Sequence, residues 1–379
     1  MHTSQLAPTH RPARIAHSAR LAGSARLAGS ARLARLGAGL ASLLVLLAAG
    51  TGCTRARSVP TTPAAPAPVA AAPAAPAAAP SAAPEAAPAL RMVLRHGQTG
   101  REVPWSTVES LAQRSDALFF GEFHDDPAGA DFERRLWQAL TTQRGRGARP
   151  ATLAMEFIER DTQATLDAYL AGTLAEADFV KQARQGPGYA KAHRPLIEHA
   201  KAVGRPVIAA NAPRPLVTAY RKQQAPYAEW LATLSDAQRA TLPRSTSTPD
   251  DAYKARFVEM MGGERAQAIF KAQALWDDAM AEAMADRRAA HPGERVLLVV
   301  GAFHVQGRLG TVTKYRERRP GDRLAVIAMA HGEDEALSLP ADMRGQADLV
   351  LVVPKPAPRP GGTHPLAAPK AAPTAAPKP

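Results

Sequence analysis

A single cysteine, Cys53, occurs in 379 residues, which excludes a disulfide within the chain. Acid is missing from both ends: the first acidic residue is Glu85, and none follows Lys355. Residues 1–60 carry eight Arg and no Lys, and the segment from Lys355 onward adds four more cations. Taking those twelve charges from the net +13 leaves the remainder near +1, so the isoelectric point of about 10.3 reflects the ends alone. A nucleic-acid partner is therefore not expected. Also absent between residues 90 and 354 are a Gly-x-Ser-x-Gly motif, a phosphate loop and a His-Glu-x-x-His motif.

The N-terminal stretch repeats Ser-Ala-Arg-Leu-Ala-Gly at 18–23 and 24–29, a basic low-complexity run unable to build a core. Residues 40–49 follow without a charge. They are too few to cross a bilayer as a helix and match the apolar region of a signal peptide. Gly50, Thr51 and Gly52 then lead into Cys53. This pattern reads as a lipoprotein site, with Cys53 as the lipidated N-terminus anchoring the protein to a membrane. Gly50 stands where such sites usually have Leu, so cleavage by an ordinary signal peptidase stays open. Thr54 at the next position points to the outer membrane.

Four segments are expected: a signal peptide at 1–53, an Ala/Pro linker at 54–89, a folded domain at 90–354 and a Pro/Ala/Lys-rich tail at 355–379. Within the domain, short apolar runs at 117–120, 152–155, 207–210, 296–300, 324–329 and 349–353 predict strands buried on both faces. Three- and four-residue apolar spacing predicts helices at 131–142, 162–170, 195–203 and 265–288. The expected fold is α/β, a mostly parallel sheet covered by helices. An N-terminal hairpin is expected at 91–103, turning at 96–100, and an α-helical insertion with a mobile loop at 220–263.

Ligands of open parallel sheets bind beyond the carboxyl ends of the strands, and three strand ends there are polar. They are Gly121-Glu122-Phe123-His124-Asp125, Met155-Glu156-Phe157 and Gly301-Ala302-Phe303-His304. Each also has a structural reading: Glu122 and His124 in an exposed turn, Glu156 paired with Arg160, His304 capping a helix. Together, two carboxylates and two imidazoles offer metal ligation or acid–base chemistry.

Those three segments, with Arg160-Asp161 and Gln163, Ala210-Asn211-Ala212-Pro213-Arg214, Gln273, Trp276-Asp277 and Met280-Ala281, resemble the successive signatures of the ChaN family over about 120–310. The resemblance implies haem binding and a role in iron uptake at the cell envelope. It places haem-binding residues among His193, Tyr189, Glu122, His124 and His304, and leaves a homodimer open. In that family a Tyr often precedes the Arg-Pro pair, found here as Arg194-Pro195; this chain has His193 there and Tyr189 four residues earlier. Either one, or neither, is the iron ligand. Met280 and Met284 are expected in the core. The same superfamily includes Tiki metalloproteases, TraB proteins and erythromycin esterases. The alternative is thus a hydrolase whose divalent metal ion is held by Glu122, His124, Glu156 and His304. A third reading, a lipid-anchored adaptor, predicts that neither His pair binds anything.

Overall fold

The computed structural model describes residues 90–143, 145 and 148–356. The chain divides between residues 81 and 82, and the signal peptide, Cys53, the linker 54–89 and the tail from 357 lie outside the described residues.

In chain order the elements are β1 (Val93–His96), α1 (Trp105–Arg114), β2 (Ala117–Glu122), α2 (Pro127–Thr142), β3 (Ala151–Glu159), α3 (Gln163–Leu170), α4 (Glu176–Gln182), α5 (Arg194–Ala202), β4 (Val207–Asn211) and α6 (Arg214–Lys222). There follow α7 (Tyr227–Ala232), α8 (Asp236–Ala240), α9 (Ala252–Met261), α10 (Gly263–Ala290), β5 (Arg295–Gly301), α11 (Thr311–Arg318), β6 (Leu324–Gly332) and β7 (Leu349–Pro354). The strands form one sheet in the order β1-β7-β6-β2-β5-β3-β4. Only β1, on β7, runs antiparallel. This is the expected α/β architecture.

The apolar runs become strands because each must fill two cores at once. Along β2, Leu118 and Phe120 point into one core, beneath Phe132, Leu136 and Trp137 of α2 and Leu196 of α5. Ala117 and Phe119 alternate into the other, beneath Met280 and Met284 of α10 and Tyr315 of α11. The two methionines are thus core, fully buried.

The hairpin differs in part from expectation. Its turn forms, with the Gly100 N–H donating to the His96 carbonyl and Gly100 at φ +72°. The return arm, however, adds a single bridge, Arg95 to Glu102. Pro104 supplies no donor and caps α1 instead, so β1 finds its ladder on β7. Helix α2 starts a turn before its apolar periodicity, because Asp126 accepts from the N–H groups of Ala128 and Gly129 and Pro127 takes the first position.

The 220–263 insertion is helical, packing Tyr220, Tyr227 and Trp230 on Leu275 of α10. Its Ser/Thr cluster is pinned, contrary to the mobile loop expected. Thr246 Oγ1 donates to buried Asp278 at 2.8 Å, the Ser247 N–H donates to the same carboxylate at 3.2 Å, and Lys314 Nζ donates to the Ser247 carbonyl at 2.9 Å. The loop shares Asp278 with Lys314 at 2.6 Å and Arg318 at 2.8 Å. No helix among the described residues is long and apolar enough to cross a membrane.

Candidate functional site

The three polar strand ends meet because β2, β5 and β3 are consecutive in the sheet. Between Met155 and Glu159 the register of β3 on β4 slips: four residues of β3 advance opposite two of β4, from Ala209 to Asn211. This bulge turns Glu156 and Phe157 toward the carboxyl edge. Glu156 Oε2 accepts the Gly301 N–H at 2.7 Å. Glycine is required at Gly121, where a Cβ would lie 2.4 Å from Val305 Cγ2 and 2.9 Å from Ala302 Cα. At Gly301 the missing Cβ leaves room for the His124 ring, whose Cε1 would stand 3.1 Å from it.

Glu122 is buried, and its Oε1 lies 2.7 Å from His124 Nδ1, while the His124 side chain is 60% exposed. The hydrogen bond to Glu122 lifts the imidazole above its usual range, against the opposing effect of burial. Phe157 meets His124 edge-on at 5.4 Å and stacks on His193 at 3.7 Å with an 18° interplanar angle. His193 ends an irregular turn, Tyr189–His193, that feeds α5. Burial depresses its pKa despite nearby Glu122. Its Nε2 is buried without a hydrogen-bond partner, 3.9 Å from Glu122 Oε2.

His304 sits beneath Glu156 in a polar network sealed from solvent. Asp277 Oδ1 lies 2.7 Å from its Nδ1, and Glu156 Oε1 lies 3.7 Å from its Nε2. Asp277 also accepts from Thr311 Oγ1 at 2.6 Å and Tyr253 Oη at 2.8 Å, and Gln273 Nε2 donates to the Tyr253 hydroxyl at 2.9 Å. Burial opposes charge on His304, but Asp277 and Glu156 together prevail and push its pKa up to about 9. The two carboxylates thus favour the imidazolium form of His304, and Gln273 Nε2 lies 3.1 Å from its Nδ1.

The structure thus brings together Glu122, His124, Glu156, His304 and His193. Tyr189 stands apart. Its ring lies in the core beside Phe179, its hydroxyl donates to Glu176 at 3.4 Å, and burial followed by the Glu176 charge pushes its pKa up to about 12. Arg160, expected as a partner for Glu156, pairs with Glu282 at 3.5 Å.

Two groups at this edge lie outside the motifs, and a third, Phe157, lies within one that assigns it no role. Phe157 supplies the stacking surface. His331, at the end of β6, stacks on Phe123 at 4.3 Å. Glu133 on α2 is fully buried against Glu122, with no hydrogen-bond partner among the described residues beyond that carboxylate. Burial first, and the Glu122 charge second, hold its pKa well above the carboxylate range. A signal existed for it: Glu133 lies among Phe132, Leu136, Trp137 and Leu140, the apolar stripe of its helix. Glu133→Met, similar in volume, should stabilise the protein by about 1–3 kcal/mol, the cost of an unsatisfied buried polar group. An unchanged or lowered urea midpoint would reveal a compensating partner.

Two cavities, of about 390 and 460 Å³, open elsewhere, one lined by His96, Arg114 and Arg308 and the other by Gln163, Asp167 and Asp286. The cluster lies in neither; it runs along the strand ends with His124 exposed and Glu122, His193 and His304 buried.

Residues 108–314 match the model of a protein family described as haem-binding uptake, Tiki superfamily, ChaN. Among solved structures, "Cofacial heme binding to ChaN of Campylobacter jejuni" superposes with a TM-score of 0.53 at 15% identity, covering 70% of this chain and 97% of that one. More distant are the type III effector HopBA1 (TM-score 0.37, 13% identity, 71% and 99% coverage) and a point mutant of the erythromycin esterase EreC in its open conformation (0.38, 13%, 70% and 83%). No curated protein matches in sequence. The family model covers more than half of the chain, and the fold agrees: this chain belongs to the ChaN family of haem-binding uptake proteins in the Tiki superfamily.

Proposed function

We propose that this chain binds haem on the shelf formed by the carboxyl ends of β2, β5 and β3, with His124 as the iron ligand. The observation that carries this is the Glu122–His124 pair: an exposed imidazole whose Nδ1 is held at 2.7 Å by a buried carboxylate. A carboxylate on one ring nitrogen fixes the tautomer, leaves the lone pair of the other free and makes it a stronger donor. Histidine is a common axial ligand of haem iron. Phe157, beside His124, adds an aromatic face suited to a flat macrocycle. When bound, the haem would bring an iron centre that takes up an imidazole; the protein's own part is to present that imidazole and to keep its orientation.

The other candidates suit the iron less well. His304 is buried and engaged by Asp277, and the Tyr189 phenol is held neutral in the core. His193 Nε2 is sealed beneath Phe157 and serves as a second imidazole, reached only if that ring swings away. The metal-dependent hydrolase reading draws on Glu122, His124, Glu156 and His304, yet among the described residues no group of three or more His, Cys, Asp or Glu side chains is arranged to hold a metal ion.

The same proposal includes the setting. Membership of an uptake family, a signal-peptide-like N-terminus and Cys53 support an envelope lipoprotein, at the outer membrane, acting in haem or iron uptake. A homodimer in which two such edges face each other is part of it, on the cofacial haem named for the Campylobacter jejuni protein.

Absorption titration of the purified full-length protein with hemin, beside metal analysis of the same sample, tests the reading. The wild type should shift the Soret band. His124→Ala should abolish or move that shift, Glu122→Gln should weaken binding roughly 10- to 100-fold, and His193→Ala should do less than either. No Soret change, with stoichiometric divalent metal that His124→Ala removes, would replace haem by the hydrolytic metal.

A further inference from the structure

The shelf does not end at β2. Phe123, between Glu122 and His124, stacks on His331 of β6 at 4.3 Å and 24°. The β6–β7 register sets His331 opposite Val353 and Gly332 opposite Pro354, so Lys355 leaves the sheet beside His331 at the same edge. The ring of His331 is partly buried. Burial lowers its pKa, Asp126 opposes this and Lys355 reinforces it, which places Lys355 within electrostatic reach of the ring. From β2 to β7 is two strand spacings, about 10 Å, comparable with half a porphyrin and one propionate arm.

The other cations around the cluster are largely engaged. Arg184 holds Glu159 and Asp161, Arg194 holds Glu176, and Arg214 lies 3.6 Å from Glu159. Lys355 and Lys191 are exposed and have no hydrogen-bond or ion-pair partner among the described residues. Lys191 lies beyond the His193 end of the shelf, and only Lys355 adjoins a second flat ring.

We propose that the haem site extends over the Phe123–His331 stack and that Lys355 receives a haem propionate, fixing which way the macrocycle lies. The inference rests on the haem reading above and adds to it an orientation: porphyrin over Phe123 and His331, carboxylates toward β7, iron at β2. An ammonium–carboxylate pair at the rim of an aromatic platform favours the dianionic ligand over a neutral one of the same shape.

The test compares hemin with hemin dimethyl ester, which keeps the ring and iron and loses both carboxylates, on the full-length protein. The wild type should bind hemin about tenfold tighter than the ester. Lys355→Glu should bring that ratio close to one by weakening hemin alone, with the Soret position unchanged. Lys191→Glu should leave the ratio as it was, and His331→Ala should weaken both ligands alike. A ratio that Lys355→Glu does not move, or that Lys191→Glu removes instead, overturns the orientation while leaving haem binding intact. A wild type that binds neither ligand removes the haem reading and the orientation together.

Discussion

Asp277→Ala should cost about 3–5 kcal/mol of folding stability, the penalty for removing one partner of a buried ion pair. Asp277 is fully buried and is the shared acceptor of Tyr253, Thr311 and His304. Without it, an imidazolium is left facing Glu156 alone at 3.7 Å, and two buried hydroxyls lose their acceptor. Chemical denaturation gives the loss directly. Asp277→Asn should recover part of it, since the amide oxygen still accepts while the charge is gone. A loss under about 1 kcal/mol, the worth of an exposed pair, would mean that His304 is neutral and the network weaker than its geometry.

Raising the pH should destabilise the wild type from about 6.5 upward, and His304→Gln should flatten that slope. The sign follows from His304 being easier to protonate in the folded chain, near pH 9, than unfolded, near 6.5. Its stabilisation is fully present below the unfolded value and disappears as the pH rises through the folded one. Linkage puts the total at roughly 3 kcal/mol. His124, also raised, contributes in the same direction. His193, His199 and His331, all lowered mainly by burial, cost stability on the acid side instead. The difference between wild type and His304→Gln isolates the one residue, read as urea midpoints between pH 6 and 9. Parallel curves for the two proteins would sink the assignment.

Strands β2, β5, β6 and β7 were legible because both faces of each are buried, leaving uninterrupted apolar letters. The carboxyl-edge residues were legible for the converse reason: Glu122, His124 and His304 end such runs abruptly. The role of partners contributed from the far side of the fold was not: Gln273 and Asp277 stand out by the family resemblance, but their helix is buried all round and no single apolar stripe marks which polar residues point inward. The β3 bulge was hidden as well, since slipping two residues depends on β4 and leaves no mark on composition. The hairpin was over-read because its turn chemistry is local, whereas the choice of β7 over the return arm is made by a strand about 250 residues later.

The antiparallel β1–β7 pair has a mechanical consequence. Val93 lies opposite Val352 and His96 opposite Leu349, so the polypeptide enters and leaves the domain side by side, at the edge that carries His124 and His331. A pull between the preceding and following arms therefore loads this ladder at its end, one rung at a time, rather than sliding all its rungs together. The first to give way would be Val93 from Val352, beside Lys355, so tension on the arms would be felt at the carboxyl edge before it reached the core of the sheet.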